Sequence, residues 1–287
     1  MQEGYKLRAY AKINLGLDVV GVLPNGYHEV RMIMQTVGIY DELSFEKTEN
    51  GIVITTDAGE LPTNEDNLIY KAVKLLFDKY AISEGVRIHL QKNIPIAAGM
   101  AGGSTDAAAT LKGISELFEL NCDEKELREL GVKIGADVPY CIMGGTALAE
   151  GIGEKLTKLS PAPDCFLLVA KPDINVSTKY VYEHLDAQED YEHPDIDGML
   201  DAISKGSLDG VVSTMGNVLE TVTVPAYPVI DTIKARMREL GALNSMMSGS
   251  GPTVFGIFDQ EAVAAKAFES LKADGVAKQV FLTGFVQ

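Results

Sequence analysis

Residues 93–111 read NIPIAAGMAGGSTDAAATL and set three glycines and six alanines between an apolar Ile-Pro-Ile and a run with helical spacing. A segment so poor in side chains offers chiefly its backbone. Upstream, "GVRIHLQKN" (85–93) alternates as a strand does, and downstream Leu111, Ile114, Leu117 and Phe118 recur on one side of a helix that starts near Ser104. A strand that turns through glycines into a helix gathers unpaired N–H groups and the positive end of the helix dipole on one spot, which suits an anion. Gly99, Gly102 and Gly103 permit backbone angles that other residues avoid and leave room for a ligand, while Ser104 and Thr105 put hydroxyls where an N-cap would sit. The bland alternative is a capped turn that holds nothing. Two sharper motifs are excluded: no lysine follows Gly103 as a Walker A loop requires, and the dinucleotide pattern G-x-G-x-x-G is missing.

Working outward, the first 56 residues read mostly as strand, with Ala11, Ile13, Leu15, Leu17 and Val19 on a core face and Tyr10, Lys12, Asn14, Gly16 and Asp18 on a polar one. Asn25-Gly26 suits a hairpin turn. Near Asn67 the period becomes helical through Leu68, Ile69, Ala72, Val73, Leu75, Leu76 and Tyr80. A charged helix follows at 123–134, then a turn and a glycine-punctuated hairpin over 135–154, where Pro139 is expected to hold Val138 extended. Turn formers over 151–163 mark a lobe boundary. Beyond it come a buried strand at 165–172, helices over 179–185, 195–204 and 227–240, a strand-turn-strand at 242–258, a helix at 260–275 and a last strand at 279–285. The mixture points to an α+β fold in two lobes, 1–155 and 156–287.

The totals restrict the partners. With 41 acidic against 25 basic residues the formal net charge is -16, which repels polyanions, so nucleic acid is not expected. An anionic ligand would then be held locally by backbone N–H groups, a lysine or two and a divalent cation. The chain carries no run of apolar residues long enough to span a membrane and no signal-like start, so the expectation is a cytoplasmic protein, a monomer or weak homodimer, without a membrane partner. Cys122, Cys141 and Cys165 lack C-x-x-C spacing, which suggests neither disulfide nor zinc, and no protein metal site is expected.

"PIAAGMAGGSTDAA" resembles the phosphate loop of the GHMP kinases, the family of galactokinase, homoserine kinase and mevalonate kinase, with Met100 where leucine is usual and Thr105 in place of serine. "AYAKINLGLDVVG" near the start and "MSGSGPTVFGIF" near the end, with Gly249, Ser250 and Gly251, resemble two further motifs of that family in the same order. The resemblance implies a two-lobed fold, an N-terminal lobe like ribosomal protein S5 domain 2 and a ferredoxin-like C-terminal lobe, with the active site in the cleft between them. It implies ATP as cosubstrate, held by Pro95, Ile96, Ala97, Ala98, Gly99, Met100, Ala101, Gly102, Gly103, Ser104 and Thr105, with Asn67 and Lys92 beside the adenine and ribose. Mg²⁺ is implied with ATP; Ser104 is the first candidate ligand, or the ion is held chiefly by phosphates and water.

By the same resemblance Lys12 and Asp137 are catalytic, although alone they would read as a surface charge and a turn residue. "AKINLGLDVVGVLPNGYHEVRMIMQTV", "IGADVPYCIMGGTAL" and "GNVLE" resemble the branch of the family that serves non-mevalonate isoprenoid synthesis, whose small-molecule substrate is a cytidine-diphosphate-linked methylerythritol. Asn14, Tyr27, His28 and Tyr182 would bind it, the rings stacking on the base and His28 reading its edge, with Tyr180 competing with Tyr182. Another family member, such as homoserine or mevalonate kinase, and a sensor that binds without turnover are the alternatives. The Pro-Asn-Gly-Tyr-His stretch argues against the former, and the intact Lys12 and Asp137 against the latter.

Overall fold

A computed structural model describes residues 5–24, 26–188 and 190–287; Asn25, half of the expected hairpin turn, lies outside them. The chain opens with two long strands, β1 (Tyr5–Val22) and β2 (His28–Thr48), then β3 (Ile52–Thr56), α1 (Leu68–Tyr80), β4 (Gly85–Gln91), α2 (Gly102–Leu117), α3 (Glu124–Val132) and α4 (Val138–Met143). It continues through β5 (Thr146–Gly151), β6 (Lys155–Lys158), β7 (Phe166–Lys171), α5 (Thr178–Leu185), α6 (Ile196–Ser204), α7 (Leu208–Thr214), β8 (Gly216–Asn217), α8 (Glu220–Ala226) and α9 (Val229–Glu239). It closes with β9 (Asn244–Met247), β10 (Val254–Phe258), α10 (Glu261–Asp274) and β11 (Gln279–Gly284). The fold is α+β, as expected.

The chain folds into two compact units, and β1 and β2 contribute a segment to each. The first unit comprises the segment ending at Ala11, Ile39–Ile96 and Ala101–Gly144. In it β4 pairs antiparallel with β2 from Glu42↔Gln91 to Thr48↔Gly85, and β3 runs parallel to β4. Leu43, Phe45 and Ile88 from the strands bury against Ile69, Val73 and Leu76 of α1 and Ala107, Leu111 and Ile114 of α2, each large side chain contributing about 1.5–3 kcal/mol. Small residues let α2 lie close: a Cβ on Gly113 would stand 2.6 Å from the Phe45 ring.

The second unit comprises Lys12–Gly38, Ala97–Met100 and Gly145–Gln287. Here β5 pairs antiparallel with β2, β6 extends β5, and β8 runs parallel to β1 at Gly16↔Gly216. A separate four-stranded antiparallel sheet has the order β11-β7-β10-β9, with α9 and α10 packed on it, which is the ferredoxin-like arrangement.

Three local expectations change. The polar register of β1 is not solvated: Lys12, Asn14 and Asp18 are all buried. Gly16 lies in that register, where a Cβ would meet Ile196 of α6 at 2.7 Å, so α6 covers the strand at that point, and His193 Nδ1 lies 2.8 Å from Asp18 Oδ1. Val138 is not extended, because Val138 and Pro139 open α4, a position where the missing proline N–H costs nothing. The short helices α7 and α8 escaped the sequence reading, α8 because Pro225 sits near its end and breaks the periodic pattern.

Candidate active site

The glycine loop turns on three left-handed residues, Ala97 (φ +50°), Gly99 (φ +70°) and Ala101 (φ +57°). Two of them are alanines, for which this conformation costs energy, so the surroundings must hold it in place. In the second unit they do. The Lys12 N–H donates to the Met100 carbonyl at 3.2 Å, and Ser248 Oγ donates to the Gly99 carbonyl at 3.0 Å. A Cβ on Gly99 would stand 2.3 Å from the Ser248 carbonyl. This glycine is therefore required by the protein's own backbone rather than by a ligand's approach.

The same packing gathers the motifs. A Cβ on Gly249 would lie 3.2 Å from the Gly99 carbonyl and 3.7 Å from Asn14 Oδ1, and Lys12 Nζ donates to that Asn14 oxygen at 2.7 Å. Asn217, in "GNVLE", donates from Nδ2 to the Met247 and Gly249 carbonyls at 2.9 and 2.8 Å, while Glu220 Oε1 accepts the Met247 N–H at 2.7 Å. Sequence reasoning used that stretch only as a resemblance; its work is to fix the turn between β9 and β10.

Farther along the second unit, the His28 and Tyr182 rings lie 4.4 Å apart at 34°, and His28 Nε2 is 2.8 Å from Asp186 Oδ1. Tyr180 instead stacks on His184 at 3.8 Å. Tyr27 is 60% exposed.

In the first unit α2 starts at Gly102, earlier than expected, from Ala101, whose side chain cannot cap. Ser104 and Thr105 are thus inside the first turns rather than at the cap. Thr105 Oγ1 donates to the Tyr10 carbonyl at 2.7 Å and is buried. Ser104 is half-exposed, and its Oγ stands 3.9 Å from where a Cβ on Gly135 would be, so the start of α2 adjoins the turn that leads to Asp137. Asp137 is half-buried at the residue before α4, and its side chain does not cap that helix. Pro95 is buried and Ile96 is exposed, whereas the Ala98 and Met100 side chains are buried.

Asn67 spends both ends of its amide on the fold, accepting the Ile69 N–H at 2.8 Å as the N-cap of α1 and donating to the Pro62 carbonyl at 2.6 Å. Lys92 is buried against Asp41, with Asp106 Oδ2 3.5 Å from its ammonium. Burial holds the Asp106 carboxyl well above the usual carboxylate range, the nearby Lys92 opposing the shift. Neither Asp41 nor Asp106 was singled out from sequence, since a lone aspartate in a strand or helix carries no signal.

Among the described residues no three His, Cys, Asp or Glu side chains gather to hold a metal, and no helix is long and apolar enough to cross a membrane. Cys122, Cys141 and Cys165 form no disulfide and are half-buried.

In the second unit the bend of the glycine loop is held by Lys12 and by the turn between β9 and β10, and in the first unit α2 opens without a side-chain cap. Residues 67–145 match the GHMP kinases N-terminal domain and residues 186–277 the GHMP kinases C-terminal domain, and the chain belongs to the GHMP kinases. More particularly, it is 57% identical over 282 residues to the 4-diphosphocytidyl-2-C-methyl-D-erythritol kinase of Lachnospira eligens, covering 98% of both chains. It is 55% identical to the protein of that name from Lachnoclostridium phytofermentans, covering 98% of this chain and 97% of the other. A crystal structure of 4-(cytidine 5'-diphospho)-2C-methyl-D-erythritol kinase superposes with a TM-score of 0.84 at 31% identity, covering 99% of this chain and all (100%) of that one. Homoserine kinase from Cytophaga hutchinsonii, at 21% identity and a TM-score of 0.79 over 100% of this chain and 95% of that one, shares the fold.

Proposed function

We propose that this chain catalyses ATP-dependent phosphorylation of the 2-hydroxyl of 4-diphosphocytidyl-2-C-methyl-D-erythritol, giving the 2-phosphate and ADP in the methylerythritol phosphate route to isoprenoids. The observation that carries this is the packing of Lys12 and Ser248 on consecutive carbonyls of the glycine loop, Met100 and Gly99, which joins all three kinase motifs in one unit. Relatives more than half identical over nearly the whole chain bear that enzyme's name.

In this reading Asp137 orients the substrate alcohol and takes its proton as the new O–P bond forms and the bond from the γ-phosphorus to the β,γ-bridging oxygen breaks. The transition state is loose, so a carboxylate of ordinary basicity suffices. Lys12, steered by Asn14, stabilises negative charge on the transferring group. ATP would supply the phosphoryl group, and a Mg²⁺ bound with it would neutralise charge on its phosphates. The residues fit such a ligand: the first turn of α2 carries no side-chain cap, and the Ser104 hydroxyl suits a Mg²⁺ that keeps most of its ligands from phosphate and water. The loop from Pro95 to Thr105 would cradle the triphosphate, while Asn67 and Lys92, both engaged within the fold, would line the nucleoside through backbone and stem. Tyr27 and Tyr182 would stack on cytosine and His28 would read its edge; the ring contact between His28 and Tyr182 favours Tyr182 over Tyr180. The reading goes with lobes at 1–155 and 156–287 and with a cytoplasmic monomer or weak homodimer.

The test is to supply ATP, Mg²⁺ and a panel of alcohols and to follow products by phosphorus NMR. Only the cytidine-linked alcohol should be consumed; equal use of homoserine would overturn the substrate assignment.

A further inference from the structure

The Asp41 carboxylate, fully buried in the first unit, makes contacts aimed at a single place in the chain. Its Oδ1 accepts the N–H groups of Asn93 at 2.6 Å and Ile94 at 2.8 Å, and its Oδ2 accepts the Lys92 ammonium. Asn93 is tied a second time, from Nδ2 to the carbonyl of the neighbouring Tyr40 at 3.0 Å. These are the last residues before Pro95 and the glycine loop.

The Lys92 ammonium also reaches the far side of the loop. It stands 2.9 Å from where a Cβ on Gly102 would be and 3.5 Å from Asp106 Oδ2, on the first turns of α2. One carboxylate thus grips the entry to the loop directly and its exit through a lysine. Stability alone is a poor account of this cluster. It sets two buried acids against one ammonium and leaves Asp106 Oδ1 buried with no hydrogen-bond partner, where an apolar cluster of equal volume would serve as well or better.

We propose that Asp41 is a positioning residue for phosphate binding, holding the two stems of the glycine loop at the separation that aims the N–H groups at the start of α2. The inference rests on the reading that this loop holds the triphosphate. Asp41 touches no substrate and acts through Lys92, Asn93 and Ile94.

The experiment measures steady-state constants for ATP and for the cytidine-linked alcohol, with thermal unfolding, in Asp41→Ala, Asp41→Asn, Ser115→Ala and Gly103→Asp. Ser115 Oγ accepts the Cys122 N–H at 3.1 Å, away from the loop, and supplies the purely structural control. Asp41→Ala should raise KM for ATP about tenfold and Asp41→Asn, which keeps an acceptor for the two N–H groups, about threefold, with KM for the alcohol within about twofold in both. Should Asp41→Ala fail to fold, Asp41→Asn alone carries the test. Gly103→Asp puts a carboxylate at a helix start, where it does not destabilise the helix but repels phosphate, and should raise KM for ATP without lowering the melting temperature. If Asp41→Asn behaves like Ser115→Ala, lowering the melting temperature alone while Gly103→Asp raises KM for ATP, the positioning role is wrong. If Gly103→Asp leaves KM for ATP unchanged, the loop reading fails and the inference falls with it.

Discussion

Helices α1 and α2 pack side by side in the first unit, yet they begin in opposite ways. At α1 the Asn67 side chain accepts the Ile69 N–H and ties itself to Pro62, so the end is closed by the protein. At α2 the preceding residue is Ala101 in a left-handed conformation, with no side-chain oxygen to close it. A helix start always has N–H groups to satisfy. Where the sequence supplies a cap they are spent on stability, and where it withholds one they remain for something else. The same contrast separates Asp123, which caps α3 through the Glu126 N–H at 2.8 Å, from Asp137, which precedes α4 without capping it.

The largest expected effect tests the second contrast. Asp137→Asn should lower kcat by about 10²–10⁴; a large stability loss with near-normal turnover of the folded fraction would make Asp137 structural. Next come the loop glycines. Gly99→Ala should cost several kcal/mol, roughly the range of a strained φ plus a backbone clash, because of its φ of +70° and the Ser248 carbonyl 2.3 Å from the new Cβ. Gly103→Ala, whose Cβ would only touch Leu68 at 3.4 Å, should leave stability unchanged or improve it by up to about 1 kcal/mol. Urea unfolding of the pair reads the difference, and equal losses would dissolve the distinction between a packed and an open glycine.

Asn67→Ala should lower stability by about 0.5–2 kcal/mol through loss of the cap, measured by thermal unfolding. A smaller effect attends Lys112, whose ammonium donates to the Ile142 carbonyl at the end of α4 at 2.6 Å while burial pulls its pKa below the usual lysine value. Below the lowered pKa the folded state bears the full cost of a buried charge. As pH rises from there to about 10.5 the unfolded chain holds more protons, so the wild type should gain stability relative to Lys112→Met over that window. Denaturant melts at pH 8 and pH 10 check the sign.

Much of the molecule was legible early. The helices that begin near Asn67 and Asp123 announce themselves by period, and the last strands and helix by their strand-turn-strand-helix-strand order, while the ferredoxin-like arrangement was implied by the resemblance alone. Other features were hidden for definite reasons. Alternation in β1 marks Lys12, Asn14 and Asp18 as polar but cannot tell whether water or other parts of the chain lie against them. The loop's glycines advertise freedom without saying whether a ligand or Ser248 uses it.

What the sequence determined by itself was local: periods, turns, an alanine-glycine stretch too bare to act except through its main chain, and three motifs in a family's order. What only the tertiary structure decided was which distant groups meet, namely Asp41 with Asn93 and Ile94, Asn217 with Gly249, and His28 with Tyr182. Hydrogen bonds and ring contacts across tens to hundreds of residues depend on how packed elements bring backbones together, and no short window of sequence encodes that geometry.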